Sequence, residues 1–139
     1  MKITELTTIK ANVSVFSDIP PTIFQRQSNG SWVYSFGFEE VEREMLGMEE
    51  GTTHTYKAYL GFVIKLNGET SLDNFKKQAM DFFWGVDREN QYINEYNIAM
   101  NNLAPQGRAD DYIQRYKQFL QERIFILDKL EEDYQSLMK

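Results

Sequence analysis

The chain is predicted to be α+β, with an N-terminal antiparallel β-meander followed by C-terminal helices, one of them long. Three observations carry this. Trp32, Tyr34, Phe36 and Phe38 alternate with Val33, Ser35 and Gly37, the period of a half-buried strand. Asn29-Gly30 lies between two strand-like runs, a strong hairpin signal. Beyond residue 110, Ile113, Tyr116, Leu120, Leu127, Leu130, Tyr134 and Leu137 follow a seven-residue a/d repeat, as in a long helix.

Residues 1–69 read as the β-rich half. Ile3, Leu6, Ile9, Val13, Val15 and Phe16 suggest strand structure over 3–16. Pro20-Pro21 marks an edge or a connection. Ile23–Gln27 and the strand from Trp32 flank the Asn-Gly turn. Glu39–Glu44 is charged and is expected to leave the sheet core, and a loop with Gly47 and Gly51 follows. The next strand runs from about Thr53 to Leu66, with Tyr56, Ala58, Leu60, Phe62, Ile64 and Leu66 on one face. Asn67-Gly68 closes it.

Residues 70–139 read as the helical half. Thr70 or Ser71 serves as N-cap, and Leu72, Phe75, Ala79 and Phe82 or Phe83 form the first apolar stripe. Gly85 ends that helix as a C′ glycine does. Asp87 is placed to cap a second helix, with Ile93, Tyr96, Asn97 and Met100 at helical spacing. Asn101-Asn102, Pro105 and Gly107 break it. The third helix runs from about Asp110 to Leu137, with Arg123 interrupting its repeat and Phe119, Ile124, Phe125 and Ile126 off it. A helix this long with more than one apolar face predicts a homo-oligomer.

Length and composition bound the function. The 139 residues fit one domain, 1–139, and 42% hydrophobic content is too high for a disordered chain. No apolar run approaches the roughly 18 residues of a membrane span, and Met1-Lys2-Ile3-Thr4-Glu5 opens no signal peptide, so an intracellular protein is expected. With no cysteine and one histidine, His54, disulfides, thiol nucleophiles and standard zinc sites drop out. Lys+Arg 15 against Asp+Glu 21 gives a net charge of −6, which argues against a duplex-DNA or membrane footprint. The carboxylate pairs Glu39-Glu40, Glu49-Glu50, Asp110-Asp111 and Glu131-Glu132-Asp133 read as solvated faces. No Walker loop, GxSxG or GxGxxG is present, so no enzyme and no cofactor is expected.

The chemistry concentrates at the first helix break. Phe82-Phe83-Trp84 turn by about 100° per residue, so the three rings cannot share one core. Beyond them stand Arg88, Asn90, Tyr92, Asn94 and Asn97. A ring beside amides and a guanidinium suits a purine nucleotide: the ring stacks, an amide reads the base edge, the guanidinium grips phosphate. Arg108-Ala109-Asp110 adds an arginine at a helix start, where backbone N–H groups attract anions. Asp110 either caps that helix or accepts from a ribose.

With Phe82-Phe83-Trp84, Asn90, Asn94 and Arg108-x-Asp110 behind a strand-rich half, the chain resembles the first family of Thoeris anti-defence phage proteins. That resemblance implies an oligomeric sponge that sequesters a cyclic ADP-ribose signal without cleaving it. It also implies a ligand between subunits, stacked on one of Phe82, Phe83 or Trp84. Asn90 or Asn94 then supplies the amide, and Arg108 with Asp110 the Arg-Asp pair. In the family that pair is adjacent, whereas Ala109 separates it here. A separate basic site for cyclic oligonucleotides would draw on Arg26 and Lys57. Two other readings stand beside it. One is a phage structural or tail accessory protein. The other is an acidic inhibitor presenting Glu39, Glu40, Glu42, Glu44, Glu49 and Glu50.

Overall fold

Two short strands and two long ones build an antiparallel sheet. They are β1 (Ser14–Phe16), β2 (Phe24–Arg26), β3 (Trp32–Leu46) and β4 (Thr53–Leu66), in the order β1-β4-β3-β2. Three helices follow: α1 (Leu72–Phe83), α2 (Gly85–Met100) and α3 (Ala109–Leu137). The structure, a computed structural model, describes residues 1–46, 51 and 53–139. Gly47, Glu49 and Glu50 therefore lie outside the described residues. The chain is α+β, as its pattern predicts. It forms two compact units, one of residues 12–68 and one of residues 1–11 with 69–139.

In the sheet unit, the Asn29-Gly30 hairpin forms as expected, with Gln27 N–H donating to Ser31 O at 2.8 Å. Trp32, Tyr34 and Phe36 face Leu66, Ile64 and Phe62 across the ladder, and all but Trp32 are buried. The alternation then breaks. Gly37 takes φ +62°, the left-handed region open to glycine, and the register slips between Phe36 and Glu39. The bulge sends Phe38 to the opposite face, where its ring meets Tyr59 at 5.9 Å. Strand alternation groups Phe38 with Trp32, and the extra residue reverses that.

None of Glu39–Glu44 is buried, so the tail lies outside the sheet core, yet it does not become a loop. It stays in β3, paired out to Leu46–Thr53 as a two-stranded ribbon, which exposes Tyr56 as well. Ribbon strands need only ladder hydrogen bonds, so charged side chains are tolerated on them. Gly61 is required by a close approach: an added Cβ would lie 3.0 Å from Phe38 Cα and 3.1 Å from Phe36 O. Gly61→Val should therefore cost about 1–3 kcal/mol, despite valine's strand preference. A urea midpoint that does not fall would refute this packing.

In the helical unit, Ile3–Glu5 forms a short 3-10 turn, so most of 3–16 is not strand; only Ser14–Phe16 is. β1 pairs with β4, so the strand order departs from a simple meander. Ser71, not Thr70, caps α1, its Oγ accepting from Asn74 N–H at 3.2 Å. Phe75, Ala79, Met80 and Phe83 form its buried stripe. Gly85 sits at φ +77° between α1 and α2. α2 starts there, so Asp87 lies in the first turn and is not the cap. Its buried residues are Tyr92 and Ala99, and Ile93, Asn97 and Met100 are exposed.

α3 corrects its heptad. The buried line is Phe119, Glu122, Ile126, Leu130 and Asp133. Leu120 is exposed, and Ile113, Tyr116, Leu127, Tyr134 and Leu137 are half-buried. Two acids on the inner line hide it from a hydrophobicity pattern.

Candidate functional site

The N-terminal segment is fastened to the helices by polar groups. Glu122 is fully buried. Its Oε1 accepts from Thr7 N at 2.9 Å, Thr8 N at 3.0 Å and Thr8 Oγ1 at 3.0 Å. Its Oε2 accepts from Gln118 Nε2 at 2.7 Å and Thr7 Oγ1 at 3.2 Å. Trp84 Nε1 donates to Thr8 Oγ1 at 2.9 Å, and the Tyr92 hydroxyl donates to Thr8 O at 3.1 Å. Every polar group around the carboxylate is a donor, so its acceptor capacity is used within the chain. This is an anchor, and its carboxylate is spent within the chain.

The anchor carries the segment on to Lys10, whose N–H donates to Phe83 O at 2.7 Å. That bond places Lys10 over the α1–α2 break. A Cβ built on Gly85 would lie 2.9 Å from Lys10 Nζ, so the ammonium occupies the room a side chain would take. Around this point lies a cavity of about 530 Å³, lined by Lys10, Trp84, Gly85 and Val86 with Asp87, Arg88 and Gln91. The first turn of α2 has no side-chain cap. Its N–H groups and two nearby cations make the cavity a place for an anion, and Gln91 adds an amide. Asp87 is the one carboxylate in the lining.

The sequence-predicted residues fall as follows. Phe83 and Trp84 are buried, the indole edge-on to Phe119 at 5.3 Å. Phe82 is half-buried and edge-on to Phe83 at 5.1 Å. Only Trp84 of the triplet reaches the cavity. Asn90 and Asn94 are exposed on α2 outside its lining. Arg108 and Asp110 stand at the start of α3, also outside it. Arg108, not Asp110, is the N-cap residue; its Nε lies 3.8 Å from Asp111. Arg26 lies over the Trp32 ring at 4.8 Å, and Lys57 pairs with Glu40 at 3.4 Å. Trp32 pairs with Leu66 on β4, so Arg26 and Lys57 are about 30 Å apart along the strand direction and form no common site.

Lys10 and Gln91 were not singled out by the sequence pattern. Lys10 looks like a strand residue, and only the hydrogen bond to Phe83 O brings it to the break. A second cavity, about 570 Å³, lies beside the anchor and is lined by Thr7, Thr8, Tyr92, Gln114, Arg115 and Gln118. Its arginine is already paired with Glu95 at 3.1 Å. No group of acids and histidines able to hold a metal occurs among the described residues. Comparison of the chain with protein-family models, with curated proteins and with solved structures finds no match.

Proposed function

We propose that the protein is a binding protein for a small phosphate-bearing nucleotide, acting without catalysis. In keeping with its resemblance to the Thoeris anti-defence proteins, the ligand is a cyclic ADP-ribose-type signal held intact in the host cytoplasm. One observation supports the reading above the rest: the cavity at the α1–α2 break joins Lys10, Arg88 and the uncapped first turn of α2 beside Trp84 and Gln91. Its volume lies within the range of small-molecule sites, roughly 300–1,000 Å³. With a chain charge of −6, attraction for phosphate rests on these local cations. No described helix is long and apolar enough to cross a membrane.

The test is thermal unfolding of the purified protein with cyclic ADP-ribose isomers and cyclic di- and trinucleotides. At a hundred times the dissociation constant, the bound form gains about 2.7 kcal/mol, a rise in Tm of roughly 10 °C. The ligand should be recovered unchanged after denaturation. Arg88→Ala and Lys10→Ala should each weaken binding about tenfold or more while the free protein melts as before. No shift across the panel, or a shift indifferent to both substitutions, overturns the reading.

A further inference from the structure

Four residues of the anchor, Thr7, Thr8, Tyr92 and Gln118, also line the cavity of about 570 Å³, where Gln114 and Arg115 join them. Their hydrogens go to partners inside the chain, and oxygen lone pairs remain. Gln118 donates to Glu122 through Nε2, and its Oε1, on the other arm of the amide, accepts no hydrogen bond among the described residues. Thr7 Oγ1 gives its hydrogen to Glu122 and the Tyr92 hydroxyl gives its own to Thr8 O, so both oxygens can still accept. The donors to Glu122 are all neutral, so none of them cancels the carboxylate's charge. This end of the cavity is built to receive a cationic donor.

The other end is cationic. Arg115 precedes Gln118 by three residues on α3, which sets their Cβ atoms roughly 5–6 Å apart on one face. Arg115 Nη2 lies 3.1 Å from Glu95, and the other N–H groups of the guanidinium fork are not used by that pair. The guanidinium lies over the Tyr112 ring at 5.3 Å, which steadies it. Gln114 is exposed and makes no hydrogen bond among the described residues, so its amide is available beside the arginine. We propose that this cavity holds a free α-amino acid. The ammonium lies among the oxygens of Thr7, Tyr92 and Gln118, and the carboxylate takes the open side of the Arg115 fork and an N–H of Gln114. An α-amino acid carries both charges on one carbon, a spacing that two long side chains one helical turn apart can grip. A simple anion would face the acceptor end unanswered, and a simple cation would face Arg115. The cavity shares no residue with the one at the α1–α2 break, so amino-acid binding is tested without nucleotide.

Thermal unfolding of the purified chain with a panel of the common α-amino acids, each at about 10 mM, is the experiment. An amino acid with a dissociation constant near 1 mM should raise Tm by about 4 °C. Its N-acetyl and methyl-ester forms, which each lack one charge, should bind at least tenfold more weakly. Arg115→Lys keeps a charge beside Glu95 but loses the fork, and Gln114→Ala removes an exposed amide. Each should weaken binding at least threefold while the ligand-free chain melts as the parent does. Lys117→Ala, exposed on the same helix outside the lining, should bind as the parent does. No shift from any amino acid, equal binding of the N-acetyl or ester form, or an affinity indifferent to both Arg115→Lys and Gln114→Ala overturns the inference.

Discussion

Replacing Glu122 by alanine should lower the stability of the helical unit by about 3–5 kcal/mol, read as a fall in the urea midpoint. The carboxylate is fully buried and accepts from both backbone and hydroxyl groups of Thr7 and Thr8. Alanine strands the buried Thr8 donors away from water, and unpaired buried donors cost more than the bonds gained. Glu122→Gln should fall between the two. Its amide keeps one acceptor oxygen but turns an NH2 toward donors already present. Glu132→Ala, at an exposed position on the same helix, should stay within about 0.5 kcal/mol of the parent. A Glu122→Ala midpoint equal to that of Glu132→Ala would show that the anchor stabilises nothing.

Trp84→Ala should lose a similar amount, about 3–5 kcal/mol, from the cavity left by a fully buried ring. Trp84→Phe separates two contributions. A smaller ring still packs against Phe119, but Thr8 Oγ1 loses the indole donor. Thr8 ties the two positions together, because its hydroxyl accepts from Trp84 and donates to Glu122. Losses from Glu122→Ala and Trp84→Phe should therefore not add, with a double-mutant coupling of about 1 kcal/mol. Strict additivity would mean that Thr8 does not link them.

The sheet and the helix breaks were legible because they rest on local signals. Asn29-Gly30 sets its hairpin, Ala58, Phe62, Ile64 and Leu66 lie on one buried face, and Gly85 stops α1. The misses share a cause. Glu122 sits between Gln121 and Arg123 and looks solvated, because its threonine partners lie 115 and 114 residues away. The inner line of α3 contains Glu122 and Asp133, so the purely apolar heptad beside it appears stronger. A single bulge at Gly37 moves Phe38 across the sheet, and period-two counting has no term for one extra residue. At the break, Phe83 and Trp84 fill the core, and of the triplet only Trp84 borders the cavity. The cations at the cavity are Lys10 and Arg88, not Arg108.

The helical unit takes its first strand of chain from residues 1–11 and the rest from residues 69–139. On the ribosome, synthesis at about 5–20 residues per second brings Thr7 and Thr8 out well before Glu122 exists. Residues 12–68 emerge complete in the interval, and their hairpins close between neighbours in the chain. The opening segment can meet Phe83, Trp84 and Tyr92 first, but its threonines wait for their carboxylate until the final helix is made. A nascent chain stalled before Glu122 should present that segment to proteases, and one released past it should protect it.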